Sequence, residues 1–280
     1  MLISIIIPTY SPGEYLYECL NSLSVQTSGT ASFEVIIVLN GTKEPYYSNI
    51  EKYLSRQNFK FHLLYTEETG VSNARNLALD AIKSFNSQFV IFLDDDDMLT
   101  PNYIETVSSK AQLNSIIASN SKSFLDRNGV IERKGYISDC YEKNISVPYN
   151  IFSYRCLLSN VTGKLFPVSV IGNTRFNKRF SVGEDALFAF EISDRIQDIV
   201  LIGNGACYLR RLRQASASRK KRNRLFKFKN ACKLSIAYSK IYLYNPFKYD
   251  ILFFFSRIFA TFAHVIKRDS LSSVIRLPER

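Results

Sequence analysis

Four apolar runs, separated by stretches of helical periodicity and polar turns, limit the possible folds of this chain more than any other feature. Residues Leu2 to Ile7 are mostly β-branched and apolar on both faces, as a strand covered from both sides requires. Tyr15, Leu16, Cys19, Leu20 and Leu23 then recur at helical spacing and form one apolar stripe. Phe33 to Leu39 reads as a second buried strand and Phe61 to Tyr65 as a shorter third. Ala74, Leu77, Ala78, Ala81, Ile82 and Phe85 trace another helical face, and Gln88 to Leu93 supplies the fourth strand. Thr100-Pro101 has the form of an N-cap followed by proline at the first helical position, opening a helix near Asn102. This alternation implies an α/β fold: a mostly parallel twisted sheet with right-handed crossovers and helices on both faces.

Ligands of such sheets bind in the crevice outside the strand carboxyl ends. Those ends fall near residues 8, 39, 66 and 93, which brings Thr9, Tyr10, Asn40, Gly41, Glu67, Glu68 and the run Asp94-Asp95-Asp96-Asp97 to one edge. Four adjacent carboxylates at the mouth of a buried strand repel one another, and a cation relieves that repulsion. Hard oxygen ligands without His or Cys favour Mg²⁺ or Mn²⁺, held by one or two carboxylates plus water and substrate phosphates. Alternation along an extended strand end would turn Asp94 and Asp96 to one side and Asp95 and Asp97 to the other, one of these capping the next helix. An acidic capping loop without a metal is the plainer alternative.

Other chemistries lack their residues. There is no GxxxxGK[ST] loop, and Gly203-Asn204-Gly205 has Tyr208 where a third glycine would be needed. The two histidines, His62 in the third strand and His264 in a carboxyl-terminal helix, read as structural, which disfavours a histidine base or a Ser-His-Asp site. The five cysteines are odd in number and form no CxxC pair, so neither a disulfide framework nor a thiolate zinc site is expected, as in a reducing compartment. Met1 to Ile7 lacks a basic leader and reads as a strand, not a signal peptide.

The excess charge has one address. Of 36 Lys plus Arg against 25 Asp plus Glu, six Arg and five Lys lie between Gly205 and Lys233 with no acid among them. Their mutual repulsion favours an anionic partner over a merely solvated face. Beyond it, Tyr249 to Ile266 is strongly apolar and aromatic, with Asp250, Arg257 and His264 recurring every seven residues as one polar stripe. Three ionisable groups make a membrane span improbable, leaving an interfacial helix or one packed on the core. The basic cluster could then hold the chain at an anionic cytoplasmic leaflet. A nucleic-acid-binding protein would carry a similar basic tract with Phe226 and Phe228 interleaved, but the aspartate run would repel its phosphates.

Glu184-Asp185, after Gly183 and before the helical pattern Leu187, Phe188, Phe190 and Ile192, is by itself a helix-start pair complementing the dipole. Its company suggests more. Ser4-Ile5-Ile6-Ile7-Pro8-Thr9-Tyr10, Tyr15 to Leu23, Gly70-Val71-Ser72-Asn73-Ala74-Arg75-Asn76, Phe92 to Asp97 and Gly183-Glu184-Asp185 occur in one order, and together they resemble the family 2 glycosyltransferases of GT-A fold that build bacterial surface polysaccharides. The resemblance covers about residues 2 to 218, which makes 1–218 a transferase domain and 219–280 a basic, aromatic helical extension.

What the resemblance implies is inverting, metal-dependent transfer of a sugar from a nucleotide donor to a hydroxyl of a glycan or polyprenyl-diphosphate-linked oligosaccharide, with no nucleic acid involved. It would work at the inner face of the plasma membrane as a peripheral protein. Asp94 and Asp96 match the DXD pattern that reaches the donor ribose and a Mn²⁺ or Mg²⁺, with Asp95 between them in the donor-binding stretch. Thr9 and Tyr10, after Pro8, match the turn beside the base, and Arg75 a basic residue near the base and diphosphate. Asp185 matches the general base, supported by Glu184. Lys164 fits the pattern before that pair, approaching donor or acceptor, and the tract Tyr208-Leu209-Arg210-Arg211 with Ser216 and Ser218 resembles one that closes over the diphosphate, with Arg210, Arg211 or Arg213 supplying the cation. Leu39-Asn40 departs from the usual acidic pair at the second strand's end, so UDP is the default nucleotide only by family frequency. A catalytically silent assembly scaffold would share the fold.

Overall fold

The computed structural model describes residues 2–29, 32–125, 129–133, 135–203, 205–212 and 222–266. It divides into two compact units, 1–213 and 214–280. The domain boundary expected at residue 218 lies outside the described residues.

The first unit holds a seven-stranded sheet. Strands β1 (Ile3–Thr9), β2 (Phe33–Asn40), β3 (Lys60–Thr66) and β4 (Phe89–Phe92) are parallel to one another. Beyond β4 come β9 (Lys164–Pro167), β6 (Ser115–Ala118) and β10 (Asp198–Leu201), in the order β10-β6-β9-β4-β1-β2-β3. The mostly parallel sheet expected from the sequence is found, and among the described strands of this sheet β9 alone runs antiparallel to its neighbours. Four residues give too little pattern to reveal direction, and the reversal sets the start of β9 beside the end of β4, at the ligand edge. A second sheet, absent from the sequence reading, has the order β5-β11-β7-β8: β5 (Met98–Leu99), β11 (Cys207–Arg211), β7 (Asn120–Leu125) and β8 (Gly129–Arg133).

Period-two alternation divides the core between the sheet's two faces. Ile3, Ile5 and Ile7 of β1, Val35, Ile37 and Leu39 of β2, and Ile91 pack with Leu16, Cys19, Leu20 and Leu23 of helix α1 (Glu14–Ser24). Tyr103, Ile104 and Val107 of α4 (Tyr103–Ser109) join the same cluster. On the opposite face Phe92 meets Phe166, Phe176 and Phe188 at ring separations of 5.7, 5.3 and 6.1 Å. That face lies under α3 (Val71–Ala81) and α7 (Glu184–Glu191), the helices that bear Arg75 and the Glu184-Asp185 pair. Each fully buried aliphatic side chain contributes about 1.5–3 kcal/mol, so these clusters dominate the fold.

Two local expectations are corrected. The helix expected from about Asn102 is α4, but its N-cap position is Asn102 and not Thr100, whose hydroxyl accepts the Cys207 N–H at 2.9 Å and so ties β11 to the segment after β5. The chain also holds a disulfide, Cys140–Cys156, joining α5 (Tyr136–Asn144) to the segment before β9. Cysteine number and spacing do not reveal a bond made by tertiary proximity.

Glu34 is a buried carboxylate on the α3-side face of β2. It accepts hydrogen bonds from Ser4 and Ser87, and His62 and Lys60 lie within 3.2 and 3.1 Å. His62 stacks on Phe85 at 3.9 Å, which bears out its structural role. Burial opposes ionisation of Glu34, but these four partners outweigh it and lower its pKa. Such a group adds stability above the ordinary value of 4.5 and loses it as pH falls through the lower folded value. Replacing it with Gln is expected to cost about 1–3 kcal/mol at neutral pH. In urea titrations the gap from wild type should shrink in acid.

Candidate active site

The site is organised around one buried cation. Arg75, on the second turn of α3, is only 3% exposed, and its guanidinium donates to Asp185 Oδ1 at 2.6 Å and to Asp94 Oδ1 at 2.9 Å. Phe92 and Phe176 lie 5.8 and 5.1 Å from it, close enough for cation–π attraction. Burial alone would disfavour its charge. Asp185, Asp94 and Glu184 outweigh that and raise its pKa, so the group stays cationic. Asp94 ends the segment after β4 and Asp185 opens α7, 91 positions later in the chain (185 − 94), so the guanidinium joins the two acidic motifs directly.

Local sequence explains how each motif is held. Gly183 has φ 87°, a left-handed conformation that lets the chain turn straight into α7 with Glu184 and Asp185 in its first turn. Asp185 Oδ2 lies 3.4 Å from the Val161 N–H, which fixes its second edge, while the side chain keeps 20% exposure. Burial, and next the charge of Asp185, push Glu184 up to about 7. Asn76, one residue beyond Arg75, pairs reciprocally with the Phe176 backbone at 2.8 Å each way, and so holds the ring beneath the guanidinium.

The aspartates are separated by a turn, not by strand alternation as expected, because the Asp97 N–H donates to the Asp94 carbonyl at 3.1 Å. Asp95 accepts from the buried Thr9 hydroxyl, which joins the ends of β1 and β4. Asp97 caps no helix. It is buried, and accepts from the Tyr208 hydroxyl at 2.6 Å and the Arg211 N–H at 2.7 Å. Arg211 is buried as well, donating to the Asp96 carbonyl and to Glu18 with its guanidinium over the rings of Tyr15 and Phe124. The turn that presents Asp94 and Asp96 is thus braced from β11 by Tyr208 and Arg211, with Glu18 as the arginine's carboxylate partner. The resemblance pointed to this tract as one that closes over the diphosphate, with Arg211 among its candidate cations; in the fold Arg211 is buried against the aspartate turn, and Glu18 is the residue that pattern reading did not single out.

The remaining predicted residues are distributed unevenly. Pro8 lies within β1, and the exposed Tyr10 sits over Gly41, where a Cβ would come within 2.7 Å of its ring; Gly41 has φ 99°. Asn40 is buried, with its amide donating to the Thr9 carbonyl at 2.7 Å and accepting from the Gly70 N–H at 2.9 Å. It therefore locks the ends of β1 and β2 to the start of α3. Lys164 is buried, and its ammonium donates to the Asn160 carbonyl, the Asn160 side chain and the Thr162 carbonyl at 2.8–3.1 Å. Burial pulls it down to about 7, with Asp185 opposing. Arg210 is exposed on β11, while Arg213, Ser216 and Ser218 lie outside the described residues.

At the first two turns of α3, Ser72 Oγ, Asn73 Oδ1 and Arg75 Nε are buried with no hydrogen-bond partner among the described residues. Unmet polar atoms this close to the acidic cluster are what a polar ligand would complete. Next to them a cavity of about 470 Å³ is lined by Thr66, Glu68, Asn73, Arg175, Phe176 and Lys178, none of them a sequence-predicted site residue except Glu68 at the strand edge. Among the described residues no group of three or more His, Cys, Asp or Glu is arranged to hold a metal. Asp94 and Asp96 are part-exposed oxygen donors, and fit a site that takes one or two carboxylates with its shell completed by water and diphosphate oxygens.

The sequence profile described as Glycosyl transferase family 2 matches residues 4–164. The chain belongs to that family. It is 26% identical over 226 residues to the glycosyltransferase GlyA of Streptococcus pneumoniae serotype 4, covering 78% of this chain and 31% of GlyA. It is 29% identical over 195 residues to the poly(ribitol-phosphate) beta-N-acetylglucosaminyltransferase TarP of Staphylococcus aureus, covering 68% and 56%. It therefore spans only part of its curated relatives. The crystal structure of S. aureus TarS 1–349 in complex with UDP-GlcNAc aligns with a TM-score of 0.68 at 21% identity, over 97% of this chain and 78% of that one. A mannosyltransferase from Pyrobaculum calidifontis in complex with GDP-Man and Mn²⁺ aligns at 0.56, with 13% identity, over 94% and 74%. These likenesses establish the GT-A fold.

Asp97 gives the site a distinctive pH signature. Burial, then the neighbouring Asp94 and Asp96, push it from 3.8 up to about 8. Between those values the folded form keeps a proton that the unfolded form has released, so this group's contribution to stability falls as pH rises. Asp97→Asn should remove that fall in urea midpoints measured across the window; an unchanged slope would place the proton elsewhere.

Proposed function

We propose that this glycosyltransferase moves a sugar from a nucleoside-diphosphate donor to an acceptor hydroxyl with inversion, Asp185 being the general base. The observation that carries this reading is the single guanidinium shared by Asp94, on the donor side, and Asp185, on the acceptor side. It sets a phosphate-facing acid and a proton-accepting acid in one site.

Asp185 is partly exposed with its position fixed by Arg75 and the Val161 N–H, so it can receive the proton of an incoming hydroxyl without swinging away. A positioned carboxylate supplies about 10²–10⁴-fold in such a step. One displacement from the face opposite the leaving group inverts configuration and needs no enzyme nucleophile, by the same logic that separates inverting from retaining glycosidases. Glu184 supports the base or the acceptor from the same helical turn. Asp94 and Asp96 would hold Mn²⁺ or Mg²⁺, which when bound would supply positive charge against the negative charge of a departing diphosphate. In this reading Thr9, Tyr10 and Asn40 form the floor for the base and ribose, Asn40 through the backbone it locks, and the exposed Arg210 is the cation assigned to the diphosphate.

A UDP-sugar is the favoured donor: relatives TarS and TarP are named beta-N-acetylglucosaminyltransferases, and TarS structures carry UDP and UDP-GlcNAc. The acceptor in this reading is a hydroxyl of a glycan or lipid-linked glycan in surface-polymer assembly; the names of TarS and TarP, which give poly(ribitol-phosphate), support a polymer acceptor only. Calorimetry with UDP-GlcNAc and Mn²⁺ separates the two acidic motifs. Asp185→Asn should retain donor affinity and lose transfer by about 10²–10⁴-fold, whereas Asp96→Ala should lose metal-dependent donor binding. Equal losses of affinity in both variants would refute the division of roles.

A further inference from the structure

The carboxyl-terminal unit turns some polar groups inward and leaves large apolar ones exposed. It comprises α8 (Arg224–Tyr244) and α9 (Ile251–Ile266), which pack as a hairpin. On α9, Arg257 is buried with its guanidinium 4.9 Å from the Phe253 ring, and the Thr261 hydroxyl meets Ser235 of α8 at 3.3 Å. The same helix exposes Ile251, Leu252, Phe255 and Phe259, which share one face by their spacing of three, four and eight. A helix facing water has the opposite distribution. Of the polar stripe expected from the sequence, Asp250 is exposed ahead of α9 and Arg257 faces in, while the side chain of His264 lies outside the described residues.

The rest of the surface mixes exposed apolar and cationic side chains. Tyr244 and Phe247, at the connection between the helices, are 94% and 99% exposed. On α8, Leu225, Lys229, Lys233, Ile236, Lys240 and Leu243 are exposed at spacings that place them along one face. Residues 222–266 contain eight Lys or Arg and one acid, Asp250, whose carboxylate accepts the Phe253 N–H at the start of α9. No helix among the described residues is long and apolar enough to cross a membrane.

We propose that this unit docks on an anionic lipid bilayer, with the Phe255-Phe259 face and the Tyr244-Phe247 connection seated at the headgroup boundary and the α8 lysines against lipid phosphates. Aromatic and aliphatic side chains interleaved with lysine are the chemistry of an interfacial helix. A second copy of the same face would bring cations against cations, with almost no acid to meet them. The inference concerns a unit apart from the transfer site, so its failure leaves the proposed reaction standing.

Flotation of the full chain with phosphatidylcholine vesicles, with and without phosphatidylglycerol, tests it. Binding should be at least about tenfold stronger with the anionic lipid and should weaken with salt. Combined Lys229→Glu, Lys233→Glu and Lys240→Glu should abolish the preference for anionic lipid, and Phe255→Ser with Phe259→Ser should weaken binding even at low salt. Both variants should keep the wild-type unfolding midpoint, because the altered residues are exposed. Equal binding to the two vesicle types, or none to either, would overturn the proposal. So would light scattering that shows a dimer dissolved by the Phe255→Ser, Phe259→Ser variant without vesicle binding, since the face would then join two copies.

Discussion

A guanidinium taken out of water must find carboxylates, and at Arg75 that requirement organises the site. An unpaired buried cation costs several kcal/mol, so the chain end of β4 and the first turn of α7 must both come to α3. Phe92 and Phe176 close the guanidinium's flanks, and Asn76 fixes Phe176 by its backbone. Two acidic motifs distant in sequence thereby become one electrostatic unit. The same cation keeps two acids at close range while leaving Asp185 partly open to solvent.

A second constraint comes from the smaller sheet. Asp97, buried under Tyr208 and the Arg211 N–H, and the Asp96 carbonyl, held by the Arg211 guanidinium, fasten the aspartate turn to β11. Asp95 fastens it to β1 through Thr9. Of the four acids, two thus serve to hold the turn and two are presented at its part-exposed side. This is why a run of aspartates that looks redundant is not: Asp94 meets the Arg75 guanidinium, Asp95 the Thr9 hydroxyl, and Asp97 the Tyr208 hydroxyl and Arg211 N–H.

The sequence disclosed the elements whose pattern is long and one-sided. β1, β2 and β4 are buried on both faces, so their apolar runs were unmistakable, and α1 and α3 carried clear stripes. β9 and the second sheet were hidden because short strands such as Lys164–Pro167 and Met98–Leu99 offer no period, and β7 is largely polar. The acids were legible as chemistry. Their arrangement was not, since a turn closed by Asp97 and Asp94 replaced the pleat alternation on which their separation had been based. Asn40 and Lys164 show a further gap: each was noticed for the polar groups that it could offer a ligand, while in the fold those groups chiefly hold neighbouring backbone. Whether a polar side chain faces a ligand or the main chain is decided by tertiary distance, which spacing does not record.

The claim that Arg75 makes Asp94 and Asp185 one unit is tested most directly by a double-mutant cycle on unfolding free energy, using Asp94→Asn, Asp185→Asn and the pair. Shared partnership predicts a coupling of at least about 1 kcal/mol, because a single carboxylate can still neutralise the cation and the loss of both strands it. Additivity within about 0.3–0.5 kcal/mol would show that the two acids act independently, and would contradict the account.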